Sequence, residues 1–246
     1  MPRKTYTKPY TAIPNYLEKT PEELACPGGP MEYSARFTHG VVSATGLLIA
    51  DLFIDETEVE RWQAAGPAVV VPNHRSFLDL TAIGKLGEMS GEGQPYFLSK
   101  RENMNNRISA KVYGKMRTFP IDRDMPGLEW QTALIRWCRF AVTSNVKLQK
   151  EAMKLVIFGE GERKKGRVVD DMFSGPLVAA KKNRVPILPI GIAGTDGVSL
   201  LNGRPSVVVA VGMPYEVSSI RDKELMIKRT QEQVDRAYAI LEELTS

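Results

Sequence analysis

One stretch of the chain carries a histidine and an aspartate at a spacing that suits acid–base chemistry. His74 stands just after the apolar, β-branched run 68–72, and Asp79 lies five residues further on. The chain has two histidines, His39 and His74, so candidates for a general base of this type are few. Residues five apart on one continuous helix point roughly 140° away from each other. The two side chains therefore meet only if His74 lies on the loop leaving a strand and Asp79 lies in the first turn of the next helix.

A structural reading of the same stretch competes with the catalytic one. Ser76 and Asp79 have the spacing of a capping box, in which a serine caps a helix and an acid three residues later bonds back to the cap. On that reading Ser76 is the N-cap, Asp79 serves only the helix start, and His74 is a surface loop residue. These residues alone leave both readings open.

Composition and charge distribution limit the classes of function. The 246 residues are 43% hydrophobic and 25% charged, which is ordinary for a soluble globular protein with a sizeable core. Residues 1–60 hold 5 basic and 9 acidic side chains, a balance of −4, and the remainder holds 28 and 20, a balance of +8. The basic excess accompanies His74, which favours an anionic ligand or surface. Aromatic residues are not interleaved with the basic ones, so nucleic-acid binding has only net charge in its favour.

Cysteine and histidine usage argues against a disulfide framework and a zinc site. Cys26 and Cys138 are too few for such a framework, and Cys/His clusters of zinc-ligand spacing are absent. The first residues hold no apolar core of a signal peptide. We therefore expect a cytoplasmic protein without a bound metal.

Apolar periodicity and turn residues predict alternating strands and helices from residue 66 onward. The predicted strands cover 68–71, 96–99, 118–121, 154–158, 187–192 and 206–211, and the predicted helices cover 76–89, 105–116, 127–150, 174–183 and 220–244. This alternation indicates an α/β fold with a mostly parallel central sheet flanked by helices. Ligands of such sheets bind beyond the carboxyl ends of the strands.

The first 60 residues are predicted to be a separate N-terminal part, and residues 61–246 the α/β domain. Residues 1–30 are rich in Pro, Gly and Thr and resemble an extended arm, whereas 31–54 have the broad apolar surface of a helix. That helix either packs in the core or lies on lipid as a membrane-docking element. It is too short and too polar to span a bilayer.

Two further loops follow predicted strands and could bind an anion. Arg123 comes just after the strand 118–121, where an arginine can hold a phosphate in two hydrogen bonds or pair with a neighbouring aspartate. The strand 154–158 leads into Glu160, which stands between Gly159 and Gly161 ahead of a basic cluster. This loop lacks the Lys-Ser/Thr of a phosphate-binding P-loop, so nucleotide hydrolysis is not indicated.

Four motifs in this order resemble those of the glycerolipid acyltransferase family, the lysophosphatidic acid acyltransferases. The motif Asn-His-x-x-x-x-Asp is complete in Asn73, His74 and Asp79. The arginine-ending strand motif is similar to residues 119–123, and the motif Val-Pro-Ile-x-Pro-Val/Ile is present at 185–190 with Pro186.

The motif Phe-Pro-Glu-Gly-Thr-Arg appears at 158–163 with two departures. Gly159 replaces the proline, and Glu162 replaces the threonine and adds a negative charge beside the expected phosphate pocket. Lys100 also stands where family members often carry a lysine. The resemblance covers about residues 66 to 215.

The resemblance implies transfer of a fatty acyl group from acyl-CoA or acyl-carrier protein to a hydroxyl of lysophosphatidic acid in phospholipid biosynthesis. His74 would be the general base and Asp79 its orienting partner. The acceptor would be bound by a second set of residues: Lys100, Arg123, Glu160, Gly161 and Arg163. Asn73, Ser76 and Pro186 would support the motifs.

The resemblance also implies that the thioester is a substrate and that no cofactor is needed. The partners would be the acyl donor, the lysophospholipid and a membrane surface, with the protein peripheral on the inner face of the cell membrane. Two alternatives remain at this stage. One keeps the chemistry but acts on glycerol-3-phosphate or another lyso- or glycolipid, and the other is a non-catalytic membrane- or lipid-binding protein.

Overall fold

A computed structural model of the chain describes residues 50–104, 113, 117–121, 129–143, 154–196 and 206–246. Seven strands form one sheet within these ranges. They are β1 (Asp51–Phe53), β2 (Ala68–Pro72), β3 (Tyr96–Lys100), β4 (Thr118–Ile121), β5 (Lys154–Val156), β6 (Ile187–Ala193) and β7 (Ser206–Val211). The six predicted strands are all present, although β5 ends two residues earlier than predicted.

Five α-helices and one 3-10 helix accompany the sheet in the same ranges. They are α1 (Glu56–Ala64), α2 (Leu78–Met89), α3 (Glu129–Thr143), α4 (Gly175–Asn183) and α5 (Lys223–Thr245), with the 3-10 helix at Arg101–Met104. Apart from Tyr113, the predicted helix at 105–116 lies outside the described residues, as do most of that at 31–54 and Arg123. So does the predicted continuation of α3 from residue 144 to 150.

The strand order is β1-β7-β6-β2-β5-β3-β4, and neighbouring strands are parallel except for β6 and β7. The predicted α/β fold with a mostly parallel sheet is therefore confirmed. Strand β2 lies in the middle, with β6 on one side and β5 on the other. The carboxyl ends of β2, β3, β4, β5 and β6 consequently lie along one edge of the sheet.

The sheet is covered by helices on both faces. One core cluster joins the sheet to α3, α4 and α5, and the other joins it to α1 and α2. Along β2, Val69 and Val71 face the first cluster, whereas Ala68 and Val70 face the second. Burial on both faces explains why β2 reads as an unbroken apolar run instead of an alternating one.

The predicted C-terminal end of the helix 31–54 is wrong, because residues Asp51–Phe53 form the edge strand β1. These residues pair in parallel with the start of β7, from Asp51 opposite Ser206 to Phe53 opposite Val208. A three-residue strand is too short to show its period in the sequence, and only its partner strand specifies it. Both β1 and the first residues of α1 precede residue 61 and pack with the sheet.

Helix α1 was not predicted from the sequence, although its start carries a recognisable signal. The Asp55 side chain accepts a hydrogen bond from the backbone N–H of Thr57 at 3.0 Å and so caps the helix. Trp62 of α1 is fully buried in the core cluster beneath the sheet. Helix α1 thus anchors the N-terminal edge of the described fold.

Lys154, the first residue of β5, is a buried cation. It lies at the edge of the sheet opposite the carboxyl ends of β2 and β5. Its ammonium forms an ion pair with Glu92 and lies 4.8 Å from the ring centroid of Trp62. Burial lowers the pKa of Lys154 from its ordinary value of 10.5, and Glu92 only partly opposes that effect. The folded state is therefore less stable when Lys154 is charged than when Lys154 is neutral.

Replacing Lys154 by methionine should stabilise the protein at neutral pH. Methionine keeps the volume and removes the desolvated charge, and Glu92 is exposed enough to be solvated alone, so we expect a gain of about 1 kcal/mol in unfolding free energy. The gain should shrink as pH rises towards 10.5, because the wild-type lysine then loses its proton in the folded state. Urea unfolding from pH 7 to 10 measures this. A loss of stability, or a gain that does not change with pH, would contradict the account.

Candidate active site

The site lies where the carboxyl ends of the central strands meet. Strand β2 ends at Pro72 and is followed by Asn73 and His74, while the neighbouring β5 ends at Val156 and leads into the loop 157–173. Strand β3, on the far side of β5, ends at Lys100. Because these strands are parallel, their loops leave the sheet on the same side.

Asn73 fixes the direction in which the chain leaves β2. Its buried side-chain amide donates to the carbonyl of Ile192 at 2.9 Å, and its side-chain oxygen accepts from the backbone N–H of Ile192 at 2.8 Å. The side chain thus continues the hydrogen-bond ladder between β2 and β6 beyond the last strand residue. This supporting role agrees with its place in the sequence motif.

His74 and Asp79 are brought together in the predicted geometry. The Nδ1 atom of His74 lies 2.9 Å from Oδ2 of Asp79, with His74 on the loop and Asp79 in the first turn of α2. The Asp79 carboxylate is fully buried, and its Oδ2 also accepts the backbone N–H groups of Arg75 at 2.7 Å and Ser76 at 2.8 Å. A carboxylate at this position assigns the ring proton to Nδ1 and leaves Nε2 able to accept a proton.

The predicted N-cap role of Ser76 is wrong. Helix α2 begins at Leu78, the residue in the cap position is Phe77, and no side chain bonds there as a cap. The hydroxyl of Ser76 only accepts a long bond of 3.3 Å from the N–H of Leu78. One bond of the predicted capping box is nevertheless present. The carboxylate of Asp79 accepts the backbone N–H of Ser76, three residues earlier in the chain.

The imidazole of His74 is held on its face as well as on its edge. The ring stacks on Phe158 with centroids 4.0 Å apart and an interplanar angle of 29°. The side chain is 16% exposed, and that exposure opens into a cavity. Contacts with Asp79 at Nδ1 and with Phe158 on one face thus fix the ring at the wall of this cavity.

Arg75, which was not predicted as a site residue, forms a buried ion pair beside His74. Arg75 Nη1 donates to both carboxylate oxygens of Glu160, at 2.8 and 2.7 Å, and both side chains are fully buried. Its Nε donates to the carbonyl of Gly166 at 2.5 Å, and Nη2 to that of Val168 at 3.1 Å. The available signal was the position of Arg75 next to a candidate base, since an arginine there must either face a ligand or be paired.

Glu160 has a different role from the predicted acceptor contact. One of its oxygens also accepts the backbone N–H of His74 at 2.6 Å, so both oxygens are engaged inside the protein. Glu160 is not part of the cavity wall. It is a support of the His74 loop, because the buried guanidinium of Arg75 draws the carboxylate away from the cavity.

A cavity of about 600 Å³ opens beside His74. Its wall combines polar side chains, two of them cations, with apolar side chains. The polar residues are His74, Ser99, Lys100, Asn103, Glu162 and Arg163. The apolar residues are Leu98, Ile121, Trp130, Leu134, Ile157, Phe158, Phe173 and Pro176. A ligand that suits both kinds of side chain carries an anionic head and an apolar chain.

Lys100, Gly161 and Arg163, for which the sequence predicts acceptor binding, all lie on the cavity wall, and Arg163 is exposed. Gly161 adopts φ +77°, a left-handed conformation that strongly favours glycine, and it turns the chain so that Arg163 stands at the cavity. Pro186 lies apart from the cavity, and its carbonyl accepts from the N–H of Val69 at the start of the pairing between β2 and β6.

Comparison with known proteins places the fold and the motifs in a family. The acyltransferase family model matches residues 54–193, which include the whole of the site described above. The crystal structure of the 1-acyl-sn-glycerophosphate acyltransferase PlsC from Thermotoga maritima has the same fold. It matches with a TM-score of 0.53 at 18% identity over 87% of this chain and 83% of that chain.

Two curated relatives are similar in sequence. The chloroplastic 1-acyl-sn-glycerol-3-phosphate acyltransferase BAT2 of Brassica napus is 29% identical over 130 residues, which are 52% of this chain and 33% of the relative. A probable 1-acyl-sn-glycerol-3-phosphate acyltransferase of Mycoplasma genitalium is 28% identical over 132 residues, 53% of this chain and 46% of the relative. The matches thus span a third to a half of the relatives' length. Since the family model covers more than half of this chain, the chain belongs to the acyltransferase family.

Proposed function

We propose that the protein transfers a fatty acyl group from a thioester donor to the hydroxyl of lysophosphatidic acid. One observation carries the proposal: His74, whose Nδ1 is held by Asp79, lines a cavity whose wall combines two cations with apolar side chains. A base beside such a cavity matches an acceptor with a phosphate head and a hydroxyl. The names of the curated relatives support the same reaction.

In the proposed reaction, His74 Nε2 removes the proton from the acceptor hydroxyl as its oxygen attacks the thioester carbonyl. Asp79 stabilises the imidazolium that forms. The attack forms the new C–O bond, and the C–S bond then breaks. The imidazolium gives its proton to the leaving sulfur. The acceptor supplies the nucleophile, so no acyl-enzyme is required.

The polar part of the cavity would bind the acceptor phosphate. Lys100 and Arg163 bring positive charge to the wall near His74. Arginine suits two-point binding of a phosphate, whereas lysine acts as a compact charge. Arg123 remains a predicted third ligand of the phosphate.

The apolar part of the cavity would hold the acyl chain next to the thioester carbonyl. Trp130 and Leu134 of α3 line it together with Ile121 at the end of β4. Burying a methylene group against such a wall contributes about 0.8 kcal/mol. We propose acyl-CoA or acyl-carrier protein as the donor and no metal or cofactor, because the thioester is already activated for attack.

We also propose that the protein works peripherally at the inner face of the cell membrane, where lysophospholipids are present. Residues 1–60 would supply the docking element, through the apolar segment 31–54. Phe77 and Phe173 support this orientation. Phe77, three residues after His74, is 41% exposed, and Phe173, on the cavity wall, is 56% exposed. Within the described ranges, no helix has the length and apolar character to cross a bilayer.

A second acceptor is favoured by Glu162. Its carboxylate is exposed and lies on the cavity wall beside Arg163, where it opposes a doubly charged phosphate. The same chemistry on a lysolipid or glycolipid with less negative charge is the alternative. Measuring acyl transfer from one acyl-CoA to lysophosphatidic acid, glycerol-3-phosphate, a lysophosphatidylcholine and a glycolipid decides between them. The proposal requires lysophosphatidic acid to give the highest kcat/KM.

Replacing His74 by alanine should reduce kcat by about 10³-fold, since general-base catalysis of this kind contributes about 10²- to 10⁴-fold. Asp79→Asn should cause a loss of similar size, because an amide does not hold the proton on Nδ1 as the carboxylate does. Product formation with saturating substrates measures both. Circular dichroism verifies that the variants are folded.

His39→Ala is the matched control for these variants, because His39 is the other histidine of the chain. Its kcat should stay within about twofold of wild type, since the reaction uses one base. Near-normal turnover by folded His74→Ala would rule out the proposed mechanism.

Substitutions of Arg163 and Glu162 should change acceptor binding in opposite directions. Arg163→Ala removes a cation from the cavity wall and should raise the KM for lysophosphatidic acid about tenfold, with a smaller change in kcat. Glu162→Gln removes the opposing charge and should lower that KM about two- to threefold, and added salt should weaken both effects. Lys165→Ala is the control, because Lys165 is exposed in the same loop but does not line the cavity. If both charge changes move KM in the same direction, the phosphate is bound elsewhere.

A further inference from the structure

Arg75 joins the loop that follows β2 to the loop that follows β5. Its guanidinium donates to the carboxylate of Glu160 and to the carbonyl oxygens of Gly166 and Val168, and its Nη1 also reaches the carbonyl of His74 at 3.0 Å. These acceptors surround a planar, fully buried group, which leaves it a single orientation. The loop after β2 and the loop after β5 are therefore connected by one side chain.

The main chain of His74 is bonded to the same loop at two points. Its N–H donates to Glu160 at 2.6 Å, and its carbonyl accepts the backbone N–H of Lys164 at 2.9 Å. Arg163, which lines the cavity, lies between these two partners in the chain. A shift of the loop would therefore move the base and the cationic wall together.

Helix α5 fixes the far end of the connection. The backbone N–H of Val169 donates to Gln231 at 2.7 Å, and Arg167 forms an ion pair with Glu242 while stacking on Tyr238 at 4.3 Å. Gly166 and Val168, which accept from Arg75, alternate with these anchored residues. The acceptors of Arg75 are thus held by the body of the fold.

We propose that Arg75, paired with Glu160, is a positioning residue that holds the His74 main chain and the Arg163 loop in one arrangement. Its effect on turnover rests on the proposed acyl transfer, in which His74 is the base. A fixed distance between Nε2 and the bound acceptor hydroxyl is what such a link provides. Misplacement of reacting groups by about 1 Å lowers rates about 100-fold.

Three variants of the full-length chain test the link. Arg75→Met removes the cation, Arg75→Lys keeps the charge but not the planar fork, and Glu160→Gln keeps the size but offers one oxygen instead of two. Lys154→Met is the matched control, since it also removes a buried cation paired with a glutamate, at the opposite edge of the sheet. Two readouts are compared: kcat and acceptor KM per folded molecule, and the Nδ1–H signal of His74 in histidine-selective ¹⁵N NMR. The His74→Gln variant assigns that signal.

We expect kcat to fall about 100-fold in Arg75→Met and at least about tenfold in Arg75→Lys and Glu160→Gln, with a higher acceptor KM. The His74 Nδ1–H signal should shift or broaden in each of these variants. In Lys154→Met, kcat should stay within about twofold of wild type and the His74 signal should be unchanged.

Full kcat and an unchanged His74 signal in Arg75→Lys or Glu160→Gln would overturn the positioning role. An equal loss of kcat in Lys154→Met would also overturn it, because the loss would then follow from the removal of any buried charge. If Arg75→Met does not fold, the two conservative variants still decide. If wild type transfers no acyl group, the proposed function fails, and the NMR comparison alone decides whether Arg75 positions His74.

Discussion

A single buried oxygen organises the site. Asp79 Oδ2 accepts three hydrogen bonds, from the ring of His74 and from the backbone N–H groups of Arg75 and Ser76. The two backbone bonds fix the turn between β2 and α2, and the third holds the imidazole ring proton of His74 on Nδ1. Because the carboxylate is fully buried, these donors are the groups that offset its desolvation. The helix start and the orientation of the His74 ring thus depend on the same atom, so the capping role of Asp79 and its proposed catalytic role do not compete.

A second buried carboxylate extends this arrangement to the substrate side. Glu160 binds Arg75 and the N–H of His74, and the loop that carries it continues to Arg163 on the cavity wall. The result is a division of labour along the edge of the sheet. In the proposed reaction, residues after β2 carry the proton-transfer group and residues after β5 carry the charge that selects the acceptor, and a buried arginine joins the two loops.

Much of the fold could be predicted because β2, β6 and β7 are dense in β-branched residues and their helices have clear periodicity. Strand β1 could not, since three residues at an edge take their structure from Ser206–Val208 across the sheet. At the site, the spacing of His74 and Asp79 predicted their contact correctly. The pairing of Glu160 inside the protein was not predicted, because its partner Arg75 is 85 residues away in sequence and only packing reveals the pair.

The central claim is that the acceptor hydroxyl, activated by His74, attacks the thioester directly. The most direct measurement is the thiol released from acyl-CoA in the first turnover, with and without lysophosphatidic acid. Direct attack predicts that release of thiol depends on the acceptor and equals the phosphatidic acid formed. A burst of thiol equal to the enzyme concentration in the absence of any acceptor would contradict it, because that burst requires an acyl-enzyme.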